Sequence, residues 1–308
     1  MKIAVMGAGG IGGYVGGRLA EAGHSVHLIA RGRHLDAIRR SGLRIECPLG
    51  DVTLPAIHAT DDPAEIGSVD VVVFTVKLGA TDGAARALAP LIQGCTRIVT
   101  LQNGIDGNSM ISRHVDRRHV AAGCTYLTAH IREPGVIHAP GGSHRILVDG
   151  LAGDETIAGF LQACAQAIGL EATGTDDIAK VLWEKFVRLV AFSGATCLTR
   201  KPIGAILAHP ESLAFLQALL GENLAVAAAV GQGLPAHAAE VAMAFFRVLP
   251  AEAKSSMLVD LEAGRPLEMP WLAGRMSELA RSHGVPAPAN TAVVAALAPH
   301  AAGANSAP

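Results

Sequence analysis

The first half of the chain alternates short apolar runs with helical patterns, and no other feature narrows the fold so far. Lys2–Met6, Ser25–Ala30, Val69–Val76, Arg97–Leu101 and Val120–Leu127 are each short and rich in Val, Ile or Leu. Such runs are the composition of parallel strands covered on both faces. Between the first two lies Ile11–Ala22, with Leu19 and Ala20 on one helical face and Gly23 where a C-terminal cap falls. After Val120–Leu127 come Glu133-Pro134-Gly135, Ala139-Pro140-Gly141-Gly142 and a further run, Arg145–Val148, which predict an antiparallel ribbon at the sheet's edge. From Asp176 onward only Ala/Leu-rich helical periodicities remain, broken at Gly231 to Pro235, Pro266, Pro270 and Gly284 to Pro288. The expectation is an α/β fold of two domains, a dinucleotide-binding domain over residues 1–175 and an all-helical one over 176–308. The small, polar tail Ala301–Pro308 is expected to fray.

Composition excludes several classes. At 308 residues the chain exceeds what one core usually supports, and with 50% hydrophobic and 17% charged residues it is not a disordered polymer. A formal charge of −2 does not suit a surface that collects phosphate polymers, so nucleic acid is not expected as a partner. The N-terminal apolar run Ile3 to Met6 breaks at Gly7, short of a signal peptide's h-region of about 7–15 residues. Leu224 to Val230, the greasiest later stretch, is far short of the roughly 20 residues of a membrane span. A cytoplasmic protein without a membrane partner is the expectation. Cys47, Cys95, Cys124, Cys164 and Cys197 are widely spaced with no C-x-x-C, and read as reduced core residues rather than a zinc or disulfide framework; no metal site is expected.

Gly7-Ala8-Gly9-Gly10-Ile11-Gly12 matches G-x-G-x-x-G. In a chain with 35 glycines the match means little alone. Here it follows an N-terminal apolar strand and opens a helix, where backbone N–H groups can face a pyrophosphate. The second strand ends at Ala30-Arg31-Gly32-Arg33, where an NAD enzyme places an acid on the ribose 2′-hydroxyl. Two arginines stand there instead, and their donors suit a 2′-phosphate, favouring NADPH/NADP+; solvated loop arginines are the alternative.

Asp70–Val76 runs into Lys77, and Ile98–Leu101 runs into Gln102-Asn103-Gly104. Because ligands of open α/β sheets sit outside the carboxyl ends of the strands, Gly7, Arg31, Lys77 and Asn103 are expected on one rim. In the helical half, Lys180, Glu184 and Arg188 follow at i, i+4 and i+8 as an exposed stripe. Lys185 lies about 100° from that stripe, flanked by Ile178, Val181, Leu189 and Phe192. It either snorkels outward or points into a site.

Gly7-Ala8-Gly9-Gly10-Ile11-Gly12, Val76-Lys77, Leu101-Gln102-Asn103-Gly104, Trp183-Glu184-Lys185, Ser255-Ser256-Met257, Glu268 and Pro288-Ala289-Asn290-Thr291, in that order, resemble the ketopantoate reductase (2-dehydropantoate 2-reductase) family over nearly the whole chain. The resemblance implies a Rossmann-type NADP(H)-binding domain followed by an all-helical domain like that of 6-phosphogluconate dehydrogenase, with cofactor and substrate in the cleft between them. It implies Lys185 as general acid, Glu268 as its catalytic partner, Ser256 as a substrate ligand, Lys77 and Asn103 as cofactor or substrate contacts, and Arg31 on the 2′-phosphate. Where well-matched family members carry asparagines four and eight residues after the lysine, this chain has Leu189 and Ser193, and Ser193 can still hydrogen-bond the substrate.

Taken from the residues alone, Ser255 and Ser256 also read as a helix N-cap pair, Glu268 as an exposed helix-flank carboxylate, and His130 and His138 as surface or structural histidines. The expected function is NADPH-dependent reduction of 2-dehydropantoate to pantoate in pantothenate biosynthesis. An NADPH-dependent reductase whose substrate pair is another 2-oxo acid or β-hydroxy acid on the same fold, and non-catalytic NADP(H) binding, are the alternatives. The expected partner is a small 2-oxo acid, and a homodimer is the assembly considered.

Overall fold

The computed structural model describes residues 1–150 and 153–304, and its chain divides into two compact units, Met1–Ile178 and Ala179–Pro308. In the first unit an eight-stranded sheet is built from β1 (Lys2–Met6), β2 (Ser25–Ile29), β5 (His58–Thr60), β6 (Val71–Phe74), β7 (Arg97–Thr100), β8 (Val120–Thr125), β11 (Arg145–Asp149) and β12 (Glu171–Thr175). The strand order is β12-β11-β8-β7-β6-β1-β2-β5. From β5 to β8 every pair is parallel, and β11 is antiparallel to β8. The order reverses at β1 and β6, the switch point where such sheets bind nucleotides.

Two cores cover the sheet, and period-2 alternation assigns residues to them. Ile3, Val5, Val71 and Val73 pack in one, Ala4, Met6, Val72 and Phe74 in the other, all 3% exposed or less. That two-sided burial is why β6 reads as an unbroken apolar run.

A second sheet, absent from the sequence-based expectation, contains β3 (Leu43–Glu46), β4 (Val52–Leu54), β9 (His130–Glu133) and β10 (Val136–His138) in the order β4-β3-β10-β9. The expected ribbon at the edge of the main sheet is therefore corrected. The β9–β10 hairpin, turning at Gly135 (φ +85°), joins this small sheet, and at the edge of the large one β11 runs antiparallel to β8 with β12 outside it and parallel to β11.

Helix α1 (Gly10–Glu21) lies between the sheets, which explains its glycines. Cβ atoms at Gly12 and Gly16 would strike the large sheet at 2.9 Å from Val5 and 2.8 Å from Val5 Cγ2. At Gly13 and Gly17 they would meet Ile137 at 2.9 Å and Ile45 at 2.4 Å of the small one. The remaining helices of this unit are α2 (Gly32–Ser41), α3 (Thr81–Arg86), α4 (Gly107–Ile111) and α5 (Glu155–Gln166).

The second unit is helical throughout its described residues. It contains most of α6 (Ile178–Thr199), then α7 (Ile203–Ala208), α8 (Pro210–Ala229), α9 (Ala238–Val248), α10 (Ser256–Glu262), α11 (Ala273–Ser282) and α12 (Pro288–Leu297). By length and composition α8 is apolar enough to cross a membrane. In this fold it is a packing helix: Leu216, Leu219, Leu220 and Val226 are buried, and Glu222 reaches to α12. Helix α12 starts with no side-chain cap of its own, and the Glu222 carboxylate accepts the Ala289 and Asn290 N–H groups at 2.7 and 2.9 Å. Asn290 also donates its amide to Glu222 at 2.8 Å and to Asn223 at 2.9 Å.

Two smaller expectations change. Four cysteines are buried, but Cys95 is exposed, in the turn before β7. The start of the tail is tied down, because Leu267 donates to the Ala301 carbonyl and Ala304 to that of Gly264, each at 2.9 Å; residues 305–308 lie outside the described residues.

Candidate functional site

Each glycine of the loop after β1 meets a different constraint. Gly7 has φ +98°, and a Cβ there would lie 2.7 Å from Val76 Cγ1 at the end of β6. Gly10 abuts the Ala129 carbonyl, 2.2 Å from an added Cβ, and Gly12 the Gly7 carbonyl at 2.3 Å. At Gly9 an added Cβ meets nothing within 4 Å. Gly9 is also the N-cap of α1 and brings no side-chain acceptor. The Gly7 and Ala8 amides are already bonded to the Ile29 carbonyl at 3.1 and 2.9 Å. The first turn of α1, Gly10 and Ile11, thus presents its amides beside open space at the switch point, an arrangement suited to a pyrophosphate.

The neighbouring strands contribute the rest of the rim. Arg31 follows β2 in extended backbone as the N-cap of α2, and its side chain and that of Arg33 are exposed. Lys77 follows β6 and is exposed; Asn103 follows β7, half-buried, just before Gly104 with φ +84°. Since β2, β1, β6 and β7 are adjacent and parallel, Arg31, Gly7, Lys77 and Asn103 lie at one edge of the sheet. No acid follows β2 at residues 30–33, and the residues of this edge fit a nicotinamide dinucleotide.

Two residues of this rim escape sequence reasoning. Gln102 is 8% exposed, and its side chain is bonded to the ends of both β6 and β7. His34, one turn after Arg31, accepts the Gly135 N–H at Nδ1 (3.1 Å), which leaves the proton of the neutral ring on Nε2. Burial holds its pKa below the usual histidine range. A histidine in an amphipathic helix carries no mark of such a partner 101 residues away.

In the helical unit Lys185 is half-buried on α6, as are Ile178, Val181, Leu189 and Phe192 beside it. Arg188 is drawn inward from the expected exposed stripe: its Nε donates to the Glu184 carbonyl at 3.1 Å, and its guanidinium lies 5.0 Å from the Phe245 ring centroid. Ser193 follows Lys185 two turns on, about 12 Å along the axis at 1.5 Å per residue. It is 1% exposed, and its hydroxyl has no hydrogen-bond partner. A buried hydroxyl left so costs about 1–3 kcal/mol, a deficit that a water or a ligand group can remove.

The serine pair separates into two roles. Ser255 is the N-cap of α10, accepting the Leu258 N–H at 3.1 Å, and its hydroxyl lies 2.7 Å from that of Thr196. Because Thr196 donates to the Phe192 carbonyl at 2.7 Å, Ser255 donates to Thr196. Ser256 is not part of a cap pair; its side chain is exposed at the first helical position. Glu268 is not the exposed carboxylate of the residue-only reading, since it is 7% exposed and its carbonyl closes the turn Met269–Trp271 by accepting from Trp271 at 3.0 Å. A carboxylate is rarely buried unless it is paired or functional.

Comparison with known proteins gives a consistent match. Residues 3–152 match the family described as "Ketopantoate reductase PanE/ApbA", and residues 177–301 match its C-terminal counterpart. A 2-dehydropantoate 2-reductase of Halobacterium salinarum is 33% identical over 94% of this chain and 95% of its own length. One from Mesorhizobium japonicum is 30% identical, with 96% of each chain covered. The crystal structure of a PanE/ApbA family ketopantoate reductase from Ralstonia eutropha JMP134 superposes with a TM-score of 0.89 at 30% identity, covering 97% of this chain and 98% of that one.

Proposed function

The chain belongs to the ketopantoate reductase family, and from that premise we propose that it reduces 2-dehydropantoate to pantoate with NADPH, the reductive step of pantothenate biosynthesis, in the cytoplasm. The observation that carries this reading is the combination, in one chain, of a glycine loop, open at Gly9, at a sheet switch point with a lysine on the half-buried face of α6.

The first unit holds the dinucleotide. Amides of Gly10 and Ile11 face the pyrophosphate, Gly9 allows its approach, Arg31 pairs with the 2′-phosphate, and Lys77 and Asn103 bind from the ends of β6 and β7. When bound, the cofactor supplies the hydride for the carbonyl carbon of the 2-oxo acid. The helical unit supplies the rest. Lys185 donates a proton to the carbonyl oxygen and stabilises the negative charge that develops there. Glu268 orients the Lys185 ammonium or accepts from the substrate's hydroxyl, and Ser256, Asn103 and the unpartnered hydroxyl of Ser193 hydrogen-bond the substrate.

Leu189 favours a second reading, reduction of a 2-oxo acid that lacks the hydroxyl of ketopantoate, because a leucine offers that hydroxyl no partner. Incubation with ketopantoate and NADPH decides the matter. One pantoate formed per NADPH oxidised supports the first reading; no pantoate from protein that binds the dinucleotide overturns it.

The assembly we propose is a homodimer. Val241, Phe245 and Val248 on α9, at i, i+4 and i+7, are 49%, 38% and 79% exposed, while Ala242, Met243 and Phe246 face the core. A helix apolar on both sides is normally covered on both, and a second copy supplies the cover.

A further inference from the structure

We propose that Gln102 is a positioning residue for the dinucleotide, a brace that sets the spacing of the three loops forming the rim; this rests on the cofactor reading above. Its side-chain amide is fully used. Nε2 donates to the Val76 carbonyl at 2.9 Å and to Thr81 Oγ1 at 2.7 Å, and Oε1 accepts the Thr100 hydroxyl at 3.1 Å. The network is enclosed, with Thr81 0% and Thr100 5% exposed. Val76 immediately precedes Lys77, and Gln102 immediately precedes Asn103, so one amide fixes the backbone leading into both residues. Val76 is also the residue against which Gly7 turns, and Thr75 beside it donates to the Gly7 carbonyl at 2.8 Å. The β1–α1, β6–α3 and β7–α4 loops are therefore coupled through a group that itself faces away from solvent.

Space for the brace is kept by Gly107, the first residue of α4. A Cβ there would lie 3.2 Å from Gln102 Oε1 and 3.3 Å from Thr100 Oγ1. Any residue unable to donate at position 102 leaves the Val76 carbonyl without its donor, and the strand end is free to shift. A rim displaced by a fraction of an ångström loses the paired contacts to the phosphates at once, which appears as lost affinity rather than lost fold.

The test compares NADPH affinity, by fluorescence titration, of the wild type, Gln102→Glu, Gln102→Met and Thr81→Val, each well below its melting temperature. Gln102→Met keeps the length of the side chain and removes every hydrogen bond; a tenfold or larger rise in Kd is expected. Gln102→Glu keeps the acceptors but presents a carboxylate to the Val76 carbonyl, and an equal rise is expected near neutral pH. As pH falls the protonated carboxyl regains an O–H to donate, so its affinity relative to wild type recovers, while that of Gln102→Met does not. Packing alone cannot produce that difference. Thr81→Val, which removes one partner, moves Kd in the same direction by less. Wild-type affinity in Gln102→Met and Gln102→Glu, or equal losses in both with no recovery at acid pH, overturns the brace alone. A wild type that binds neither NADPH nor NADH overturns the cofactor reading, and the brace with it.

Discussion

Arg31 and Leu189 are the two positions at which the proposed cofactor and substrate each turn on a single side chain. Arg31 follows β2 as the N-cap of α2, with no acid at residues 30–33. The contact proposed for it with the 2′-phosphate is expected to favour NADPH over NADH at least tenfold in affinity, about 1.4 kcal/mol. Titration of Arg31→Ala with both cofactors is predicted to show most of that preference gone; an unchanged ratio transfers the role to Arg33. Leu189 lies one turn from Lys185 on the same half-buried face of α6. If the hydroxyl of ketopantoate is unpartnered there, Leu189→Asn raises kcat/KM for ketopantoate and leaves 2-oxo acids without that hydroxyl nearly unchanged. A fall for ketopantoate shows that Ser193, Ser256 or Glu268 already serves it. Lys185→Ala is predicted to bind NADPH as the wild type does and to lose about 10²–10⁴-fold in turnover, the usual contribution of general acid catalysis. A loss below threefold with intact binding means that Lys185 only snorkels.

At the scale of elements, what was legible from sequence was whatever repeats with a short period. The strands at Lys2–Met6, Ser25–Ile29 and Val71–Phe74 were visible as short runs rich in Val, Ile or Leu, and the helix breaks at Gly231 to Pro235 and Gly284 to Pro288 as proline and glycine punctuation. The small sheet was not, because β4 and β10 are three residues each, too short to show a period of their own. Spaced glycines in α1 were the available signal, since Gly10, Gly13 and Gly17 share one face and Gly12 and Gly16 another. The cap on α12 was equally hidden, its donors and acceptor being 67 residues apart. Glu222→Ala removes it and is predicted to cost about 2 kcal/mol, within the range for caps and charged hydrogen bonds. Urea unfolding with an unchanged midpoint contradicts that role.

For the whole molecule, burial lowers the pKa of His24, His27, His34 and His130 below the ordinary 6.5. The folded protein then binds fewer protons than the unfolded chain below about pH 6.5, so stability is full above that pH and falls as pH drops toward the depressed values. Unfolding midpoints at about pH 7.5 and 5.5 are predicted to show the acidic sample as the less stable, and equal midpoints contradict this. The ends of the strands, being sequence features, showed where the rim lies; the burial of Glu268 and Ser193 depends on helices packed from distant segments and could not be read from the chain. Steady-state NADPH oxidation over a panel of 2-oxo acids measures the proposed activity most directly. Ketopantoate is predicted to give the highest kcat/KM, with NADPH preferred to NADH. A protein that binds NADPH yet oxidises it with no 2-oxo acid, or that turns over another acid while ignoring ketopantoate, contradicts the account.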